Sequence, residues 1–304
     1  MGSVSIPPER SHWEVDVKRT DLIEAIERAL DTEVSSIAQV HGGDVAQSFR
    51  ISLAGGRTVF AKTHADPPPH FFTTEASGLA WLAEVGAVAV PTPLAVSDGG
   101  GGAPALLVLE WIDTGRAVST TDDALGRQLA VVHDAGAPCF GREDRATTGS
   151  RRLPNEPHDD WSTFYAECRL LPLARLAAES AALPEPSIHA LERLAASLDR
   201  FDDGAPPARL HGDLWAGNRL VDVDAASWLI DPAAHGGHRE FDLAMMRLFG
   251  GFSPACFAAY AEQHPLTDGW QDRVPLHQIA PLVVHAIKFG GGYVAAASDA
   301  ISRY

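Results

Sequence analysis

Leu210-His211-Gly212-Asp213-Leu214-Trp215-Ala216-Gly217-Asn218, followed by Trp228-Leu229-Ile230-Asp231-Pro232, decides the reading of this chain. It sets out an aspartate, an asparagine five positions on and a second aspartate after a short hairpin. Residues 208–210, 219–222 and the apolar 228–230 read as short strands, which leave Asp213 in a loop and Asp231 at a strand end. Phosphoryl transfer from ATP needs this set. One carboxylate, Asp213, takes the proton of an acceptor hydroxyl. Asn218 and Asp231 supply a neutral and a charged oxygen to magnesium ions that bridge the nucleotide phosphates.

Outward from this segment the chain falls into two parts. Residues 34–40, 48–53 and 57–62 carry β-branched and aromatic side chains, punctuated by Gly42-Gly43 and Gly55-Gly56, as strands joined by turns do. After Pro67-Pro68-Pro69 a helix is expected, capped by Thr73 or Thr74, with Glu75, Leu79, Leu82 and Ala83 on one face. A strand at 105–110 follows the glycine run at 99–102. From Trp111 the pattern turns helical. Helices are expected at 121–136, 161–171, 187–198, 241–249, 254–263 and 276–289. Residues 137–160, polar and rich in Pro, Gly and Arg, read as a surface excursion. The expected fold class is α+β. A small β-rich lobe covers 1–110, a larger helical lobe covers 111–304, and a hinge lies near 110–113.

Strand alternation points Lys62 the same way as Phe60. An inward lysine is costly unless paired, and Glu75 on the apolar face of the next helix is its natural partner. In a phosphotransferase such a pair holds the lysine against the α- and β-phosphates. The turn His41-Gly42-Gly43-Asp44 is the only candidate to cover phosphates, and it lacks GxGxxG spacing. His211 is expected to brace the Asp213 loop, and His133 to be a satisfied core histidine. His235 and His238 stand three apart near Asp231, but no further cysteine or histidine nearby completes a zinc set.

Composition narrows the class. Of 304 residues, 45% are hydrophobic and 21% charged, as in an ordinary globular protein long enough for two lobes. Against 24 basic side chains stand 40 acidic ones, a formal net charge of −16. That surface repels phosphate backbones, so no nucleic-acid partner is expected, and it is compatible with an amine-bearing substrate. No apolar run approaches the roughly 18 residues of a membrane span, so no membrane partner is expected either. Residues 1–14 show no basic stretch leading into an apolar core. Cys139, Cys168 and Cys256 lie far apart, without a CxxC pair. They read as reduced thiols, and the expected location is the cytoplasm.

Taken together, these residues resemble the fructosamine-3-kinase (ketosamine-3-kinase) family, in the aminoglycoside-phosphotransferase-like branch of the protein-kinase fold. The likeness is closest in Leu210–Asn218, in 230–252, in Asn155 with 161–165 and Arg169-Leu170, and in 285–290. It extends over nearly the whole chain from about Asp21. The resemblance implies a bilobal protein-kinase-like fold, with ATP and Mg2+ as cosubstrates. It also implies phosphorylation of the sugar O3 of a small-molecule or protein-bound ketosamine, whose 3-phosphate then decomposes and frees the amine. By position, Asp213 becomes the base, Asn218 and Asp231 the metal ligands, and Lys62 with Glu75 the phosphate clamp. The backbones of Glu110 and Ile112 would meet the adenine, and Trp215 and His285 the acceptor. Asp242 would accept N–H bonds from the catalytic loop. Asp44 stands where some members carry a cysteine, so no thiol switch is carried over. The residues alone also admit a kinase of another acceptor (an aminoglycoside, choline or a sugar) and a non-catalytic nucleotide-binding module.

Overall fold

The computed structural model describes residues 17–40, 46–145, 147–148 and 152–304. The glycine turn at 41–45 lies outside them.

The first part is a five-stranded antiparallel sheet with one helix on each face. Helix α1 (Arg19–Leu30) precedes β1 (Val34–Val40), β2 (Gln47–Leu53) and β3 (Thr58–His64). Helix α2 (Phe71–Ala83) follows, then β4 (Pro93–Ser97) and β5 (Ala105–Glu110), in the sheet order β1-β2-β3-β5-β4. Alternation sorts the two faces. Ile51, Val59, Ala61, Leu106 and Val108 pack under Leu22 and Ile26 of α1. Leu107 and Leu109 face the other way, towards Phe72, Leu79 and Leu82 of α2. Lys62, on the second face, is therefore aimed at α2. Sequence reading had no α1, whose buried stripe is only Leu22 and Ile26.

Helix α2 begins at Phe71, ahead of the expected threonine cap. The side chain that serves its first turn is remote. Asp98, beyond β4, accepts the Phe72 and Thr73 N–H groups at 2.9 and 3.1 Å and the Thr73 hydroxyl at 2.5 Å. That satisfies donors which a local threonine would otherwise serve.

Beyond Glu110 come α3 (Thr121–Asp134), the two-residue strands β6 (Thr147–Thr148) and β7 (Leu153–Pro154), α4 (Trp161–Tyr165), α5 (Leu171–Glu179) and α6 (Glu185–Ala195). A single π turn, Ala166–Leu170, joins α4 to α5. Strands β8 (Ala208–Leu210), β9 (Arg219–Val221), β10 (Ser227–Leu229) and β11 (His235–Gly237) form two ribbons, β9 with β10 and β8 with β11. Helices α7 (Glu240–Phe249), α8 (Pro254–Gln263), α9 (Trp270–Phe289) and α10 (Gly292–Ile301) complete the lobe.

Two expectations change here. The 137–160 stretch is no free surface loop: Phe140 and Asn155 are buried, and Gly141 and Gly236 exchange backbone bonds at 2.8 and 2.9 Å. The buried Arg169 orders it by donating to the Pro154 carbonyl at 2.6 Å and to Asn155 Oδ1 at 3.1 Å. Helix α9 starts at Trp270 and runs through Pro281. Proline deprives the His277 carbonyl of its helical donor, and the Tyr165 hydroxyl lies 3.4 Å from that oxygen and 3.0 Å from that of Leu276.

One core cluster crosses the expected hinge. Leu79, Leu107 and Leu109 pack with Leu125, Leu129, Leu243 and Met246. Among the described residues no helix is long and apolar enough to cross a membrane. The three cysteines are unpaired with one another.

Candidate active site

Strand β8 delivers the chain into the 211–218 loop. Gly212 takes φ 80°, and a Cβ there would run into the Ala233 carbonyl oxygen, so the turn requires glycine. Asp242, on the first turn of α7, holds this loop from below. Its Oδ2 accepts the His211 N–H at 2.7 Å and its Oδ1 the Gly212 N–H at 2.9 Å. His133 Nε2 lies 3.2 Å from Oδ2, while His133 Nδ1 meets the Tyr260 hydroxyl at 2.8 Å. Burial alone would raise the Asp242 carboxyl. The His133 bond and charge and the backbone amides outweigh it and hold the group below its usual range. His211 Nε2 donates to the Ile230 carbonyl at 2.9 Å, which makes Nδ1 the acceptor of the Asp213 N–H at 3.3 Å. Burial lowers its pKa, so it braces the loop as a neutral ring.

Asp213 is thus presented at the wall of a cavity. Removal from water pushes its carboxyl up to about 7; the Asn218 bond opposes this and the Asp231 and Asp242 charges reinforce it. Asn218 Nδ2 donates to the Asp213 carbonyl at 2.8 Å and to its Oδ2 at 3.0 Å. Both amide hydrogens are then engaged, which leaves Oδ1 as the ligand atom.

Asp231 leaves β10 in the left-handed region, φ 55°, a conformation that non-glycine residues keep where the surroundings enforce it. The Ile230 N–H, bonded to the Asn218 carbonyl at 3.0 Å, ties it to the loop. The buried Lys62 ammonium donates to Glu75 Oε1 at 2.9 Å and also to Asp231 Oδ1. Burial would lower the lysine pKa, but the two carboxylates outweigh it and hold the ammonium above its usual range.

A cavity of about 680 Å³ gathers Lys62, Glu75, Glu110, Ile112, Asp213, Trp215, Asn218 and Asp231. Its apolar lining includes Val40, Phe60, Leu109, Leu220 and Ile230. Glu110 turns its carboxylate to the Thr92 N–H and hydroxyl, at 2.7 and 3.0 Å. The Trp215 ring lies over Gly217, where a Cβ would collide with it, yet the residue is 40% exposed. His285 stands off the cavity wall. It donates to the Pro281 carbonyl at 2.7 Å and packs 5.0 Å from Phe249, which in turn contacts Trp215 at 6.0 Å. Arg152 and Lys288 also line the cavity, though neither is among the predicted site residues. Their segments, before β7 and at the end of α9, give no local sign that the chain path brings them near Asp213.

His235 and His238 do not share a ligand. His235 Nδ1 donates to the Ala233 carbonyl at 2.8 Å, and His238 Nε2 meets Asp203 Oδ1 at 3.1 Å. His238, Glu240 and His277 do place possible ligand atoms within 4.8 Å of one another. Glu240 is already engaged there by Arg273, at 2.9 and 2.5 Å, so the cluster reads as a charge-paired core.

The fructosamine kinase family profile matches residues 19–304. A probable ketoamine kinase of Lactiplantibacillus plantarum is 34% identical over 275 residues, 90% of this chain and 95% of its own length. The chloroplastic protein-ribulosamine 3-kinase of Arabidopsis thaliana is 31% identical over 278 residues, 90% of this chain and 83% of its own. The crystal structure of a fructosamine-3-kinase homologue from Thermobifida fusca shares 37% identity and a TM-score of 0.85, covering 92% of this chain and 97% of that one. Sequence and shape agree over almost the entire length, and the protein therefore belongs to the fructosamine kinase family, with its bilobal α+β kinase fold.

Proposed function

We propose that this protein transfers the γ-phosphoryl group of ATP to the O3 hydroxyl of a ketosamine, the sugar adduct of an amine. The observation that carries this reading is the meeting, in one cavity, of the Asp213 carboxylate with the Lys62–Glu75–Asp231 ion cluster. The apolar side chains of Val40, Phe60, Leu109, Leu220 and Ile230 suit the faces of a purine, and the backbone of Glu110 and Ile112 suits its edge. Lys62, held by Glu75, contacts the α- and β-phosphates.

Asn218 Oδ1 and the Asp231 carboxylate fit magnesium: both are hard oxygen donors, and the Asn218 amide is already turned by its two bonds to Asp213. A magnesium ion held by these two residues would neutralise the charge of the nucleotide phosphates during transfer. Asp213 orients the O3 hydroxyl and accepts its proton as the new O–P bond forms. Its carboxyl, pushed up to about 7, is far more basic than an exposed aspartate. The exposed face of Trp215 offers a wall to the C–H surface of the sugar ring, and His285 backs it through Phe249.

The 31% identity to a ribulosamine 3-kinase supports O3 as the acceptor position. The net charge of −16 suits the cationic amine of a ketosamine, free or attached to a protein. Residues 1–110 act as the nucleotide-binding lobe and 111–304 as the catalytic and acceptor lobe, working in the cytoplasm. The test is ADP release from magnesium-ATP with fructose- and ribulose-derived amine adducts, aminoglycosides and choline, with Asp213→Asn as control. Turnover confined to ketosamines, with phosphate on O3, supports the reading. Turnover on another acceptor alone would discard it.

A further inference from the structure

Helix α2 carries Glu75, and its far end is held by residues from beyond the hinge. We infer that Trp81, gripped by Arg142 and Arg209, is a positioning residue that presets Glu75 against Lys62 before nucleotide arrives. The inference rests on the nucleotide reading of the Lys62–Glu75 pair.

Both guanidinium carbons lie over the Trp81 ring, each 4.5 Å from its centroid. A cation over an indole face is attracted by the ring quadrupole, most strongly when partly desolvated. Each arginine also has a second hold on α2. Arg209 donates to the Trp81 carbonyl at 2.5 Å and to Glu84 Oε2 at 3.1 Å. Arg142 donates to the Ser77 hydroxyl at 3.0 Å and to Asp144 at 2.7 and 2.8 Å. Ser77, Trp81 and Glu84 follow i, i+4, i+7 spacing, so a single face of α2 receives the contacts that the two arginines make with the helix. Beside them Gly78 permits close approach: a Cβ there would stand 3.2 Å from the Ala234 Cβ and 3.3 Å from the Pro232 Cγ.

What the arginines are anchored to gives the contact its meaning. Arg209 belongs to β8, which leads into the Asp213 loop, and β8 pairs with β11. Arg142 directly follows Gly141, which bridges Gly236 of β11. Pro232 directly follows Asp231, and Ala234 stands three residues beyond it. Helix α2 is thus registered to the backbone that presents Asp213 and Asp231, while Lys62 comes from the sheet. The clamp fixes where Glu75 waits, and the ion pair with Lys62 is complete without ligand.

The experiment is a double-mutant cycle on the KM for ATP and on kcat, using Trp81→Leu, Glu75→Gln and the pair. Trp81→Leu is expected to raise the KM for ATP about 10-fold. In the Glu75→Gln background it should add less than about 2-fold, because the group being positioned is already gone. Trp81→Phe, which keeps a π face, should return the KM to within about 3-fold of wild type. If Trp81→Leu does not fold, Arg142→Gln removes one guanidinium and carries the same expected signs. An unchanged KM, or an equal increase in both backgrounds, overturns the positioning role and leaves Trp81 as packing. Failure of the wild type to saturate with magnesium-ATP overturns the nucleotide reading itself, and the inference with it.

Discussion

Asp242 and His211 stand 31 residues apart, and the Asp242 carboxylate accepts the His211 backbone N–H at 2.7 Å. The same buried carboxylate takes the Gly212 N–H and faces His133, so one side chain fastens the loop that presents Asp213.

Replacing it should therefore be expensive. Asp242→Ala leaves two buried amides and an imidazole without their acceptor, a loss of about 3–5 kcal/mol by the usual cost of breaking a buried pair. Calorimetric unfolding checks this. A variant that melts with the wild type would show that the loop is held by something else.

Asp213→Asn should have opposite effects on rate and stability. Loss of the base is expected to lower kcat by roughly 10²–10⁴-fold while ATP affinity stays near wild type. Above pH 7 the folded wild type, free of metal and nucleotide, must ionise a carboxyl that burial has pushed up to about 7. A raised acid pKa costs stability above the folded value. The cost fades as pH falls towards the unfolded value, roughly 3.9. In EDTA, the variant should accordingly be more stable than wild type at pH 8, by on the order of 1–3 kcal/mol, with the gain shrinking by pH 5. An equal gain at both pH values would rule out the buried charge as its origin.

Two buried histidines work in the opposite sense. Burial depresses His235 to about 3 and His277 to about 4. The unfolded chain takes up these protons as pH falls through roughly 6.5, whereas the fold does not until its own lower values. Stability present above about pH 6.5 is then lost progressively towards pH 4. In the Asp213→Asn protein, freed of the opposing carboxyl, melting at pH 5 should come several degrees below melting at pH 7.5. A flat profile would falsify the neutral, buried assignment of these rings.

Asp231→Ala removes a proposed magnesium ligand and one of the two carboxylates on Lys62. Calorimetry should record tight ADP binding to wild type only when magnesium is present. In the variant the magnesium-dependent part should be lost. If magnesium still strengthens binding as it does in the wild type, Asp231 is not the ligand.

The primary structure by itself determined the sites of charge and the local elements that carry them. Asp213, Asn218 and Asp231 were legible because strand ends and a hairpin leave their own short-range pattern. Lys62 and Glu75 were legible because alternation along β3 and helical spacing along α2 show which way each side chain points. The tertiary structure decided the rest. Only the chain path brings Asp98 under the first turn of α2, Arg169 against the 137–160 stretch, and Arg142 with Arg209 onto Trp81. It also sets His285 behind Phe249 and admits Arg152 and Lys288 to the cavity. The physical reason is one of range. Periodicity and turn chemistry act over a few residues, whereas a remote cap, a buried guanidinium or a cavity wall depends on which distant segments share a core.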